Sequence, residues 1–186
     1  LVSASGGSLQ ALEQSEPWMV SLGLVLGVSQ ALGLNAELGL DKHLMDRAAK
    51  AGKPAGGLET IDDQMKAMDS VPYPEQAQGL DEFLLDPKKS IQQLQDMHAW
   101  WRAGDVERLD KDMRADMAAK SPQSYKLLDV YRNNAWLPQI EKRLTGSKSD
   151  DTLVVVGTLH LLGADGLVEK LKAKGYKVAR VCEACE

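Results

Sequence analysis

Aromatic residues are scarce in this chain: they make up 5% of its 186 residues, with a single Phe. A core so poor in aromatics rests on Ala, Leu and Met, which are strong helix formers. Net positive charge is also lacking. The formal charge of −5 and pI near 5.3 exclude the basic footprint that nucleic acid or an anionic membrane would require. Long hydrophobic runs are missing as well. The longest, Trp18 to Leu34, is broken by Gly23, Gly27, Ser29 and Gln30, whereas a membrane span takes roughly 20 apolar residues. No basic segment precedes an apolar one, so the sequence reads without a signal peptide. Cysteine is nearly absent too. Cys182 and Cys185 form one C-x-x-C near the end, which leaves a redox dithiol, half of a zinc site or a disulfide open.

What the chain does contain is organised around residues 151–171. Leu153 to Val156 is a β-branched apolar run that reads as a strand buried on both faces. Gly157 stops it, His160 follows, and Leu167, Val168 and Leu171 give helical spacing up to Gly175. Tyr176 to Val181 then reads as a second strand. In open α/β sheets, ligands collect at the carboxyl ends of strands, and His160 falls at such an end. On position alone, a ligand or catalytic role for it stands beside a turn or capping role.

The rest of the chain reads mostly as helix. The first residues, 1–7, have the composition of a frayed end, and Ser8 to Gln14 fits a short helix. Glu16-Pro17-Trp18 opens a helix ended by Gly33, with Pro at a first-turn position. Another runs over 39–51, with Leu40, Leu44, Met45 and Ala48 inward. Pro54 to Leu58 can be a short strand, which puts Glu59 just past a strand end like His160. Thr60 to Ser70 is amphipathic. Four further helices are expected near 74–85, 87–103, 106–120 and 122–144, with Asp86-Pro87 and Ser121-Pro122 as starts and Gly104-Asp105 as a capping turn. A polar loop over 146–151 leads back to the sheet.

Four residues carry candidate chemistry. Glu59 alone would be a solvent-facing carboxylate at a helix start; paired in space with His160, it becomes a hard oxygen ligand or a general base. Such a site with open positions suits zinc, manganese or cobalt, and the metal would activate water for peptide or ester hydrolysis. Arg132 and Asn133 lie mid-helix, where Asn is a poor interior residue. They form either a polar helix face or part of a site. His43 and His98 read as surface or interface residues, and Trp100, Trp101 and Trp136 as buried helix-packing residues.

The G-x-x-H ending at His160, the following L-x-G-x-D-G-L and the closing G-Y-x-V resemble the TraB/GumN family, relatives of the Tiki metalloproteases. The resemblance extends through Gly39-Leu40-Asp41-Lys42-His43-Leu44, Gly52-Lys53-Pro54, Gly57-Leu58-Glu59-Thr60 with Gln64, and Tyr131-Arg132-Asn133-Asn134-Ala135-Trp136. It implies a metal-dependent hydrolase of peptide bonds, in the periplasm, the cell envelope or outside the cell. His160 and Glu59 become metal ligands or acid–base groups, Arg132 an oxyanion or carboxylate clamp, and Asn133 a substrate-positioning residue. The rival is a non-catalytic binding or regulatory module on the same fold. Family members carry two G-x-x-H motifs and this sequence only the second, which implies the C-terminal two-thirds of a longer protein.

The resulting expectation is a single helix-dominated α/β domain over 1–186. Its small sheet has strands near 54–58, 152–157 and 176–181, with a helical insertion at about 72–144. Glu59, Arg132 and His160 should line one cleft. A peptide or protein substrate and homo-oligomerisation are the expected partnerships, the latter through unpaired strand edges.

Overall fold

A computed structural model of the chain describes residues 12–146 and 151–182. The frayed end, most of the helix expected over 8–14, the middle of the 146–151 loop and Cys185 lie outside them. The helices follow the sequence closely. α1 spans Pro17–Ala31, α2 Leu40–Lys50, α3 Ile61–Asp69, α4 Tyr73–Leu85 and α5 Pro87–Ala103. α6 starts at Val106–Arg108, widens into a π-helical Leu109–Ala115 and closes as Asp116–Lys120. α7 does the same through Pro122–Tyr125, a π-helical Lys126–Val130 and Tyr131–Gly146. A single turn at Thr158–Leu161 and the short α8, Leu167–Ala173, complete the fold. No described helix is long and apolar enough to cross a membrane.

Caps explain where these helices begin. Thr60 Oγ1 accepts from Asp63 N at 3.1 Å while Asp63 Oδ2 accepts from Thr60 N at 3.0 Å, a reciprocal capping box on α3. Asp86 accepts from Lys89 N at 3.1 Å and Asp105 from Arg108 N at 3.0 Å. The Ser121 side chain caps nothing. Instead Glu75 reaches over from α4 and accepts from Gln123 N at 3.0 Å and Ser124 N at 2.7 Å. That long-range cap ties α4 to the start of α7, the helix that carries the candidate site.

The expected sheet is not there: among the described residues no strand is formed, and the architecture is helical. The reason is pairing. A strand exists only as one side of a hydrogen-bonded ladder, and none of 54–58, 152–157 or 176–181 has a described partner strand. The 153–156 run is also not buried on both faces. Val154 and Val156 pack against a cluster of Trp136, Leu137, Ile140 and Leu167, while Leu153 is 72% exposed. The helical block over 72–144 is therefore no insertion into a sheet; it is the body of the fold, and α7 supplies Trp136, Leu137 and Ile140 of the cluster on which the run packs. Burying each such Leu or Ile contributes about 1.5–3 kcal/mol.

The tryptophans divide. Trp136 is buried as expected, Trp100 only half so, and Trp101 is 47% exposed, stacked beside His98. Of the inward residues expected in α2, Leu44 and Ala48 are half-buried, but Leu40 and Met45 face solvent.

Candidate functional site

Three separate segments bring the four candidate residues together. Glu59 precedes the α3 cap, Arg132 and Asn133 follow the π-helical stretch of α7, and His160 lies on the turn after the 153–156 run. α7 takes the role expected of a sheet edge.

His160 is set by a compact turn. Its N–H donates to Gly157 O at 3.0 Å, and Leu162 N donates to Leu159 O at 3.1 Å. The glycines that follow do more than loosen the chain. Gly163 has φ +69° and the Arg114 guanidinium lies against it where a Cβ would stand, while at Gly166 a Cβ would overlap the Leu161 and Leu162 carbonyl groups. A larger residue at Gly163 would be strained by the positive φ and would displace the Arg114 guanidinium, and one at Gly166 would press on the carbonyls of the His160 turn.

Arg132 joins the carboxylate to the imidazole. It donates to Glu59 in bidentate fashion, Nε to Oε2 at 3.1 Å and Nη2 to Oε1 at 2.7 Å. Its Nη1 donates to Leu128 O at 3.0 Å and lies 3.3 Å from His160 Nε2. Trp136, one turn on, donates Nε1 to Glu59 Oε2 at 3.1 Å, with the guanidinium 4.8 Å over its ring. The imidazole leans on the same indole, ring centroids 4.6 Å apart. Trp136 therefore packs, as expected, and also holds Glu59, which sequence reading missed; its i,i+4 spacing from Arg132 was the available signal.

Asn133 is the most buried polar side chain, 0% exposed. Its Oδ1 lies 2.9 Å from His160 Nδ1, and its Nδ2 faces Asp129 Oδ1 at 2.8 Å, Asp165 O at 3.0 Å and His160 O at 3.3 Å. Behind them, Tyr125 donates its hydroxyl to Asp165 at 3.2 Å, and Arg114 reaches Tyr125 at 3.4 Å and pairs with Asp110. Asp129, Tyr125, Asp165 and Arg114 did not stand out in the sequence.

Burial governs the electrostatics. His160 is held down to about 4, first by burial and then by the neighbouring Arg132, against a smaller upward pull from Glu59. It is a neutral imidazole at pH 7. Asp129 is pushed up to about 6, again mainly by burial, with Arg114 and Arg132 opposing.

Glu59, Arg132 and Trp136 line a cavity of about 420 Å³ together with Asp63, Lys66 and Tyr131. His160 meets that cavity through Arg132 and Trp136 and does not line it, so the single cleft expected for three residues holds two of them.

Glu59 and His160 are the right kinds of donor for a divalent metal, a carboxylate and a neutral imidazole. Their arrangement does not fit one. A guanidinium stands between them, both Glu59 oxygens are taken, and among the described residues no group of three His, Cys, Asp or Glu is placed to hold an ion. Catalytic zinc takes three protein ligands, so no metal-bound step follows from this arrangement. Cys182 stands in a disulfide, one of the three forms left open.

The profile of the TraB/PrgY/gumN family matches residues 2–180. Two curated relatives, each described as "Uncharacterized protein YbaP", come from Escherichia coli (strain K12) and Shigella flexneri. Each is 28% identical over 172 residues, covering 92% of this chain and 62% of the relative. The chain thus spans about three-fifths of the length of the curated relatives it matches. No solved structure matches.

Proposed function

Because the chain belongs to the TraB/PrgY/gumN family, we propose that it carries part of a peptide-bond hydrolase whose reacting corner is Glu59, Arg132, Asn133 and His160. The observation that carries this reading is the convergence of Arg132 and Asn133 from one helix, and of Glu59 from another segment through Arg132, on the neutral, buried imidazole of a third. Within it, His160 offers Nε2 as a proton acceptor, and Asn133 holds the ring. Arg132 has five N–H donors, of which four are engaged by Glu59, Leu128 O and His160. The fifth is free for a substrate carbonyl or terminal carboxylate in the adjoining cavity. Glu59 fixes the fork and is the second base of the corner. A divalent metal, if the parent protein takes one, would draw ligands from beyond these residues. A periplasmic or envelope location belongs to the same reading, and the disulfide at Cys182 agrees with an oxidising compartment.

A second reading has its own support. Both Glu59 oxygens and both His160 nitrogens have partners within the chain, as expected of a corner kept for structure in a binding or regulatory module. Turnover separates the two. Full-length protein is assayed with a library of quenched fluorogenic peptides, alongside metal analysis. His160→Ala and Glu59→Gln are expected to lower kcat/KM by roughly 10²–10⁴-fold, the range for loss of an acid–base group. Peptide binding without turnover in the parent, unchanged in His160→Ala, would replace the hydrolase reading with the binding one.

A further inference from the structure

We infer that Asp129 sets the tautomer and the aim of His160, acting through Asn133. This deepens the reading of His160 as the site's proton acceptor and rests on it. A neutral imidazole has two tautomers, and only one leaves Nε2 with its lone pair. Both neighbours select that one. Arg132 can only donate, so Nε2, 3.3 Å from its Nη1, must accept. On the other side Nδ1 then carries the hydrogen and donates to Asn133 Oδ1 at 2.9 Å.

That arrangement holds only while the Asn133 amide keeps its oxygen toward the ring. Rotating it by half a turn would exchange Oδ1 and Nδ2 at nearly the same shape. What forbids the rotation is the far edge, where Nδ2 meets three acceptors: Asp129 Oδ1 at 2.8 Å, Asp165 O at 3.0 Å and His160 O at 3.3 Å. Asp129 is the nearest and the only side chain among them. It lies one turn before Asn133 on α7 and is itself buried. Its separation of 3.9 Å from His160 Nδ1 is too long for a direct hydrogen bond, so its hold on the ring passes through the amide. Asp129 is a positioning residue: it does not line the cavity beside Glu59 and Arg132 and need never meet a substrate.

Nitrogen-15 NMR of the imidazoles in the 186-residue chain tests this directly. There are three histidines, and His160→Ala identifies the signal of interest. In the parent, His160 should be a single Nδ1–H tautomer. In Asp129→Ala the amide can turn in part of the population, so that Nδ1 accepts from it while Nε2 takes the hydrogen and gives up its contact with Arg132. The two ring-nitrogen shifts should then draw toward one another, with the His43 and His98 signals unmoved. Asp129→Asn still offers an oxygen to Asn133 and should restore the parental pattern. If Asp129→Ala does not fold, Asp129→Ser, too short to reach Asn133, takes its place. A parent protonated at Nε2, a parental pattern in the alanine or serine variant, or mixing in Asp129→Asn would each overturn the inference. The readout is a tautomer and not a rate. A full-length protein without turnover would therefore remove the hydrolase reading while leaving this assignment in place.

Discussion

In α1 and α2, apolar side chains face solvent: Leu26 is 59% exposed, and Met19, Leu40 and Met45 are exposed as well. A few helices on, the corner around α7 buries Asn133, Asp129 and His160. Hydropathy alone would have put these two regions the other way round. The contrast follows from what each side chain finds. α1 carries no charged residue at all and presents apolar groups on all sides, but pairs chiefly with α4, where the Trp18 backbone N–H donates to Gln76, while its indole donates to Asp69 at the end of α3. The polar groups of the corner are buried because they satisfy one another, and burial of a polar group is tolerated only on that condition. Apolar burial needs area to cover; polar burial needs partners at hydrogen-bond distance. The corner has its partners, and α1 has little cover.

The contrast breaks most violently if the corner loses its central member. Asn133→Ala would leave the Asp129 carboxylate, the His160 Nδ1–H and two backbone carbonyls without their shared partner. Each unsatisfied buried group costs about 1–3 kcal/mol, and an uncompensated buried charge more. The expected loss is about 3–5 kcal/mol, read from urea denaturation. A loss below about 1 kcal/mol would mean that water or neighbouring groups replace the amide, and that the corner is not the tightly satisfied region described above.

Titration sharpens the same comparison with a somewhat smaller effect. His160 falls from 6.5 to about 4, so its folded form binds less proton than the unfolded chain. Its contribution is present above pH 6.5 and is lost as pH falls toward 4. Asp129 rises from 3.8 to about 6. Its folded form binds more proton, so its contribution is present below 3.8 and is lost as pH rises through 6. The two slopes oppose each other between about pH 4 and 6. Asp129→Asn removes one of them. At about 1.4 kcal/mol per unit of pH for one proton, the variant should gain on the parent by about 3 kcal/mol in total across that window. A gain of opposite sign would mean that Asp129 is ionised in the fold and held by Arg114 and Arg132.

Much of this was legible in the residues. Pro17, Asp86-Pro87, Gly104-Asp105 and Thr60 mark helix starts by local chemistry, and those helices begin where the markers stand. The 153–156 run misled because its β-branched residues speak of a pleated, half-buried surface, whereas a strand is a relation to a second segment that no single segment contains. Glu59, Arg132, Asn133 and His160 were found through motif spacing. The face of α7 that Asp129 shares with Asn133 was not, because an aspartate on a helix is ordinary until something four residues away is known to be buried. The π-helical turns at 109–115 and 126–130 are wider by one backbone step, and no residue pattern announces them. Such turns are frequent at functional sites, and here they carry Arg114 and Asp129.

The smallest effect tests the other side of the contrast. Leu26 faces solvent on α1, so Leu26→Gln removes little contact within the chain, and substitutions of that kind stay within about 0.5 kcal/mol. Contiguous exposed apolar surface does seek partners, however. The parent chain should therefore self-associate in light scattering, and Leu26→Gln combined with Met19→Gln should lower the apparent mass while leaving the urea midpoint where it was. Stability and association would then separate: the corner holds the chain folded, and the α1 face decides what it sticks to. A fall of more than about 2 kcal/mol for Leu26→Gln would be the cost of a core residue. In that case α1 is covered in solution and is no counterpart to the buried corner.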